Sequence, residues 1–351
     1  MKKIHLIHVL TLLLLFFVSC SDDETSKADS SDYENGYFVT NEGPFQTGSG
    51  SLTFIDHDGS VSQGVYKSVN GEDLGNIVNS MCFAGDKAYI VVNNSHKIVV
   101  VNRLTMEKIA VIQGEDIHNP RYFTVIDNLG YVSNWGDPFD PSDDFVAVVN
   151  LQSNTVMEKV AVAEGPEKMI ADGTDLFVCL QGGYGNNNQV VVIDTKQNSI
   201  KTSLVVGDVP NSIVTDNKGD VWVLCGGSPA WTGSETGGSL YRIDPSGFVT
   251  SKIDFPKSDH PSLLNQDMGI LYYNLNGKVY QMGVDATVLP EEALQGLDGF
   301  YYAMEVEKGE LFGTDAGDFA SEGTLKVFNI NSGALLETIG TGIVPGNIVF
   351  P

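Results

Sequence analysis

An all-β fold assembled from one repeated four-strand unit is what this sequence predicts, and three observations carry it. A cycle of four short β-branched or aromatic segments, bounded by Gly, Asn or Asp, recurs along the chain from Tyr37 onward. Glycine is abundant, 38 of 351 residues, while only 19% of residues are charged, which favours strands and turns over long charged helices. Each end of the chain holds an incomplete cycle, and the two pieces complement one another.

The clearest cycle runs through segments 166–171, 175–180, 189–194 and 199–206, and the next through 210–214, 220–225, 239–244 and 247–253. Segments 120–125, 129–133, 145–150 and 156–162 repeat the pattern earlier. Cycles start at Asn76, Asn119, Pro166, Pro210, Pro261 and Gly299. At the N-terminal end, segments 37–40, 51–56 and 61–66 read as strands two, three and four of a cycle without its first. Segment 345–350 reads as a first strand without the rest. Joined, they make a composite unit that closes a ring and removes free sheet edges. Residues 37–351 are therefore expected to form one seven-bladed β-propeller of about 45 residues and four antiparallel strands per blade. Four-strand units and split ends disfavour a sandwich or a β-helix. Counting the composite blade first, the sixth, residues 261–289, has the least sequence to spend.

Before the propeller, Lys2 and Lys3 precede an apolar run from Ile4 to Val18 that ends at Ser19-Cys20. The run is about 15 residues against the ~20 needed to cross a bilayer, so residues 1–19 read as a signal peptide with a lipobox and Cys20 as the lipidated N-terminus. Membrane contact is then through acyl chains alone. Residues 20–36 read as an acidic, disordered tether. Its start, Ser21-Asp22-Asp23-Glu24, resembles the export signal of Bacteroidetes surface lipoproteins, which implies the outer face of the outer membrane. The net charge is −25, and loss of Lys2 and Lys3 makes it about −27, which excludes a phosphate-tracking nucleic-acid binder.

In an antiparallel four-strand blade with strands A to D, the B–C loops and D–A connections emerge on one face of the ring. The A–B and C–D turns are short. The B–C loops, such as 134–144, 181–188 and 226–237, are long and varied, so binding belongs on their face. Five of them carry an aromatic near the tip: Phe45, Trp135 with Phe139, Tyr184, Trp231 and Phe319. Asn41, Asn94, Asn134, Gln181, Asn186, Asn187 and Ser228 surround these rings with neutral donors and acceptors. That mixture suits a large, uncharged, amide-bearing or hydroxyl-rich ligand.

Catalytic signals are sparse. No Gly-x-Ser-x-Gly elbow or His-Glu-x-x-His occurs, and Gly182–Gly185 precedes a strand where a dinucleotide loop requires a helix. His57 falls in a C–D turn and reads as solvated, whereas His96, His118 and His260 fall on the loop face. Asp137, Asp140, Asp143 and Asp144 lack the Asp-x-Asp-x-Asp-Gly order and read as a solvated acidic loop, so no metal is assigned. Cys82, Cys179 and Cys225 read as small core residues, with a disulfide left open. No catalytic residue or catalytic cofactor is assigned, and the expectation is a binder.

Asn41–Gly43, Asn70-Gly71 with Leu74-Gly75, Tyr89–Ser95 with Lys97-Ile98, Pro120–Tyr122, Asn134-Trp135, Gly165–Glu167, Trp222–Gly227 and Gly342–Gly346 together resemble a family of YncE-like seven-bladed propeller lipoproteins of Bacteroidetes. That family includes the BtuG-type cobalamin-binding proteins. The resemblance implies capture of vitamin B12 or another corrinoid and its delivery to a TonB-dependent transporter of the BtuB type. Phe45, Trp135, Tyr184, Trp231 and Phe319 would then be contact surfaces, and Asn94, Asn134 and Arg121 hydrogen-bond donors. The residues themselves leave open a hydrolase or lyase acting on a glycan or lactone, and a glycan-binding surface protein or adhesin.

Overall fold

The computed structural model describes residues 33–351. The signal peptide, Cys20 and most of the tether lie outside the described residues. The described residues form seven antiparallel sheets in a ring, six of four strands and one of three. Blade 1 is composite, with Pro345–Val349 pairing antiparallel to Gly36–Asn41, followed outward by Ser51–Asp56 and Val61–Gln63. Blades 2 to 7 begin at Val78, Pro120, Pro166, Pro210, Ser262 and Met304.

The apolar runs follow from this packing. Seven separate buried clusters form, one at each junction between neighbouring blades. In Lys97–Asn102, Ile98 and Val100 face blade 3 while Val99 and Val101 face blade 1. Both faces of such a strand are buried, so its sequence is continuously β-branched instead of alternating with polar residues. Outer strands such as Ser199–Val205 are largely exposed and correspondingly polar.

Side chains also bridge blades. The Asn79 and Ser80 side chains of blade 2 donate to the Arg121 carbonyl of blade 3, both at 2.7 Å. Asn211 of blade 5 donates to the Pro261 carbonyl at 2.9 Å, and Asn265 of blade 6 to the Met304 carbonyl at 2.8 Å. Lower down, the Tyr89 hydroxyl reaches Asn154 of blade 3, and the equivalent Tyr131 hydroxyl reaches Asn198 of blade 4, each at 3.2 Å. These bonds satisfy polar groups that burial between blades would otherwise leave unpaired.

Three expectations need correction. The tether ends earlier than residue 36: Tyr33 packs edge-on against Phe54 with centroids 5.1 Å apart, and its amide donates to the Leu104 carbonyl. The outer strand of blade 1 stops at Gln63, because Val65–Asn70 is a helix between left-handed Gly64 and Gly71, with Val65 and Tyr66 buried between blades 1 and 2. In blade 6 the fourth position is taken by irregular chain that bonds Lys278–Gly283 through the Leu294 amide and the Val279 carbonyl.

Ile348, 4% exposed, seals the junction of blade 1 with blade 7. Ile348→Ala is expected to cost about 2–4 kcal/mol in urea unfolding. Leu335→Ala, on the exposed outer strand of blade 7, is expected to cost less than about 0.5 kcal/mol.

Candidate functional site: a cleft on the loop face

The loop-face cleft has a volume of about 410 Å³ and lies off the ring axis, over blades 1 to 4. Phe45 comes from the B–C loop of blade 1, Asn94 and His96 from blade 2, Trp135 and Phe139 from blade 3, and Tyr184 from blade 4. His118 and Asn119 enter from the connection between blades 2 and 3. Tyr184 joins the rings: its centroid lies 6.1 Å from Trp135 and 5.5 Å from Phe139. Phe45, Phe139 and Tyr184 are 70%, 85% and 69% exposed, so these rings present their faces instead of folding back over their own loops. Among the described residues, the buried Trp135 indole N–H has no hydrogen-bond partner.

The loops are held from below. The buried Asp144 carboxylate accepts from the Gly165 amide at 2.5 Å, tying the blade 3 loop to blade 4. Gly165 has φ +75°, and a β-carbon there would come within 2.2 Å of the Gly182 and Gly183 nitrogens, so only glycine lets the two loops meet. Asp143 accepts from the Asp137 amide, Asp140 from Ser142, and Glu164 from the Gly185 amide. The acidic residues of the 137–144 loop are thus largely spent on ordering it.

Among the residues singled out from sequence, Phe45, Asn94, Trp135 and Tyr184 meet in the cleft. Asn94 is exposed there and donates to the Asn76 side chain at 2.7 Å. Asn134 does not reach the cleft. It is fully buried, its amide donating to the Val132 carbonyl and its oxygen accepting from the His118 amide, so it positions the loop instead of contacting a ligand. Arg121 is likewise redirected. Its Nε donates to Glu167 at 2.8 Å and its guanidinium lies 4.3 Å from the Trp135 ring centroid, which makes it a support for Trp135. Trp231, 85% exposed on a short 3₁₀ turn, and Phe319, packed edge-on to Tyr302, are not among the cleft-lining residues.

Sequence reasoning passed over Phe300. It belongs to the connection entering blade 7 and lies across the tight turn of blade 6, where a β-carbon on Gly277 would come within 3.1 Å of its ring. With it, and with His96 for blade 2, an aromatic ring stands at the loop-face end of all seven blades.

A second group of polar residues lies on the ring axis. Glu42 accepts from the Tyr302 hydroxyl at 2.9 Å beside the Arg121–Glu167 pair. A further space of about 150 Å³ is lined by Tyr122, Lys168, Asn211, Ser262, Glu305 and others. Burial pushes the Glu305 carboxyl up to about 7 and outweighs the opposing effect of Lys168. The signal was present in the repeat: the residues just after the proline that opens a blade, Arg121, Glu167-Lys168 and Asn211, project toward the axis. His260 bonds the Gly226 carbonyl through Nδ1 at 2.9 Å. Cys82, Cys179 and Cys225 are free thiols, the last two buried between blades 4 and 5.

Burial also pushes the Asp144 carboxyl up to about 7, although the Gly165 amide opposes the shift. A carboxyl that holds its proton more tightly when folded stabilises the protein fully below its unfolded pKa of about 3.9, and this contribution is lost as pH rises toward 7. Asp144→Asn is therefore expected to be more stable than the parent above pH 7, by up to about 4 kcal/mol, with the difference vanishing toward pH 4. Urea unfolding across that range measures it.

No curated protein matches the chain. Among solved structures it is similar to hydrazine synthase of Kuenenia stuttgartiensis, at 15% identity and a TM-score of 0.62, over 89% of this chain and 94% of that one. At that identity the likeness concerns the propeller fold alone. Residues 35–287, well over half the chain, match the family described as Domain of unknown function (DUF5074), and the protein belongs to that family.

Proposed function

We propose that this protein is a lipid-anchored surface protein that binds a corrinoid of the vitamin B12 type in the loop-face cleft and passes it to a TonB-dependent outer-membrane transporter. The observation that carries the reading is the lining of the cleft. Four aromatic side chains, Phe45, Trp135, Phe139 and Tyr184, stand among Gln46, Asn94 and Asn119, with no lysine or arginine among the lining residues. A corrin is broad and flat and is edged by neutral carboxamides, so ring faces and side-chain amides match it. A phosphate or carboxylate ligand would call for the cations that this lining omits. The order of motifs that resembles the YncE-like propeller lipoproteins and the lipobox read at Cys20 support the same reading, and the protein acts in it as a carrier with no catalytic step.

A hydrolase or lyase has one observation in its favour, the Glu305 carboxyl raised to about 7 beside Lys168 in the axial space. Turnover of a glycan or lactone that Glu305→Gln abolishes would favour it.

Isothermal calorimetry of the protein with cyanocobalamin tests the corrinoid reading. Binding is expected, with Trp135→Ala and Tyr184→Ala each weakening it by about tenfold or more, as central aromatic contacts do. Trp231→Ala and Phe319→Ala, outside the cleft, are expected to stay within about twofold. Absence of heat and of any change in the visible spectrum would overturn it.

A further inference from the structure

The cleft contains a side chain whose chemistry neither ring stacking nor amide bonding uses. His118 lies in the connection between blades 2 and 3, and its backbone is clamped to the blade 3 loop. Its amide donates to the Asn134 side chain at 3.1 Å, and its carbonyl accepts from the Gly136 amide at 3.2 Å. The next residue is held as firmly: the Asn119 carbonyl accepts from the Trp135 amide at 3.2 Å, and its side chain donates to the Gly136 carbonyl at 2.8 Å. The His118 side chain itself is exposed and makes no hydrogen bond among the described residues.

Beside it stands His96, the two ring centroids 4.6 Å apart and the planes inclined by 35°. The Asn119 amide donates to His96 Nδ1 at 3.0 Å. That bond requires a lone pair on Nδ1, so the neutral His96 ring carries its proton on Nε2 and has no free lone pair to offer. Of the two imidazoles, only His118 has an uncommitted nitrogen lone pair, and it lines the same cleft as Phe45, Trp135, Phe139 and Tyr184. The Asp137 side chain faces the same space.

An imidazole lone pair on the wall of an aromatic cleft suits a flat ligand that carries a metal at its centre. Resting on the corrinoid reading above, we infer that His118 ligates the cobalt of the bound corrinoid at its upper axial position when that position holds a labile water. The cobalt–water bond breaks and water leaves with its own electron pair. The unprotonated His118 nitrogen donates a pair to form the cobalt–nitrogen bond, while the other nitrogen keeps its hydrogen. The cobalt oxidation state is unchanged. Asn134 and Asn119 act as positioning residues, and His96 is the neutral neighbour against which the ligating ring stands.

Titration of the full chain with two corrinoids tests the inference: aquocobalamin, whose upper position exchanges, and cyanocobalamin, whose upper position is blocked. The parent is expected to shift the visible bands of aquocobalamin to those of an imidazole-ligated cobalamin, reversibly on adding cyanide, and to leave the cyanocobalamin spectrum without such a shift. His118→Gln is expected to lose the shift and to weaken aquocobalamin binding about tenfold or more beyond any effect on cyanocobalamin. His96→Gln keeps the shift. Equal binding of both corrinoids without a shift, or a shift that survives in His118→Gln, overturns the inference and leaves the corrinoid reading standing. Binding of neither corrinoid overturns both.

Discussion

The pairing of Pro345–Val349 with Gly36–Asn41 is the constraint on which the other six blades depend. Each of the seven apolar clusters needs a blade on either side, and the cluster between blades 7 and 1 draws Ile348 from one end of the chain and Val39 from the other. Without that strand, blade 1 has an open edge and the ring has a gap through which water reaches two neighbouring cores. The closing contact spans almost the whole sequence, so it carries the largest loop-closure cost in the molecule and yields its stabilisation only when the rest is in place. The Gln63 side chain adds a second fastening at the outer edge, donating to the Gly340 carbonyl of blade 7 at 2.6 Å.

The closed ring then sorts polarity. Around the axis, the first strands bring charged groups together in partly dehydrated surroundings, where Arg121 pairs with Glu167 and Glu305 holds its proton more tightly than a solvated carboxyl. The off-axis cleft is mostly neutral, lined by rings, amides and imidazoles with Asp137 as its one acidic side chain. Arg121 connects the two regions: its charge is balanced within the axis while its flat face supports the indole that walls the cleft.

The strands and the composite blade were legible because strands buried on both faces leave an unmistakable run of β-branched residues. Elements that depend on a single backbone conformation were not. Val65–Asn70 contains Val and Tyr, which read as strand, and only Gly64 and Gly71 at its borders marked a helix. Loop aromatics were legible as a group, but which of them share a cleft depends on how far each loop leans, and that divides Phe45, Trp135 and Tyr184 from Trp231 and Phe319. Asn134 shows what the repeat itself held. Asn41 and Asn134 end the second strand of their blades, Asn93 directly follows that of blade 2, and all three are buried; an amide that recurs at the end of the second strand is a structural fastener more than a ligand donor. Phe300 was obscured because it arrives from a connection instead of the loop of its own blade.

The off-axis position of the cleft has a consequence for stoichiometry. A molecule seated over blades 1 to 4 leaves Trp231, Phe300 and Phe319 uncovered around the other side of the same face, at 85%, 86% and 55% exposure. Three exposed rings of the loop face therefore lie outside the cleft lining. On the binding proposed above, a second body reaching those rings would meet them without having to displace the first.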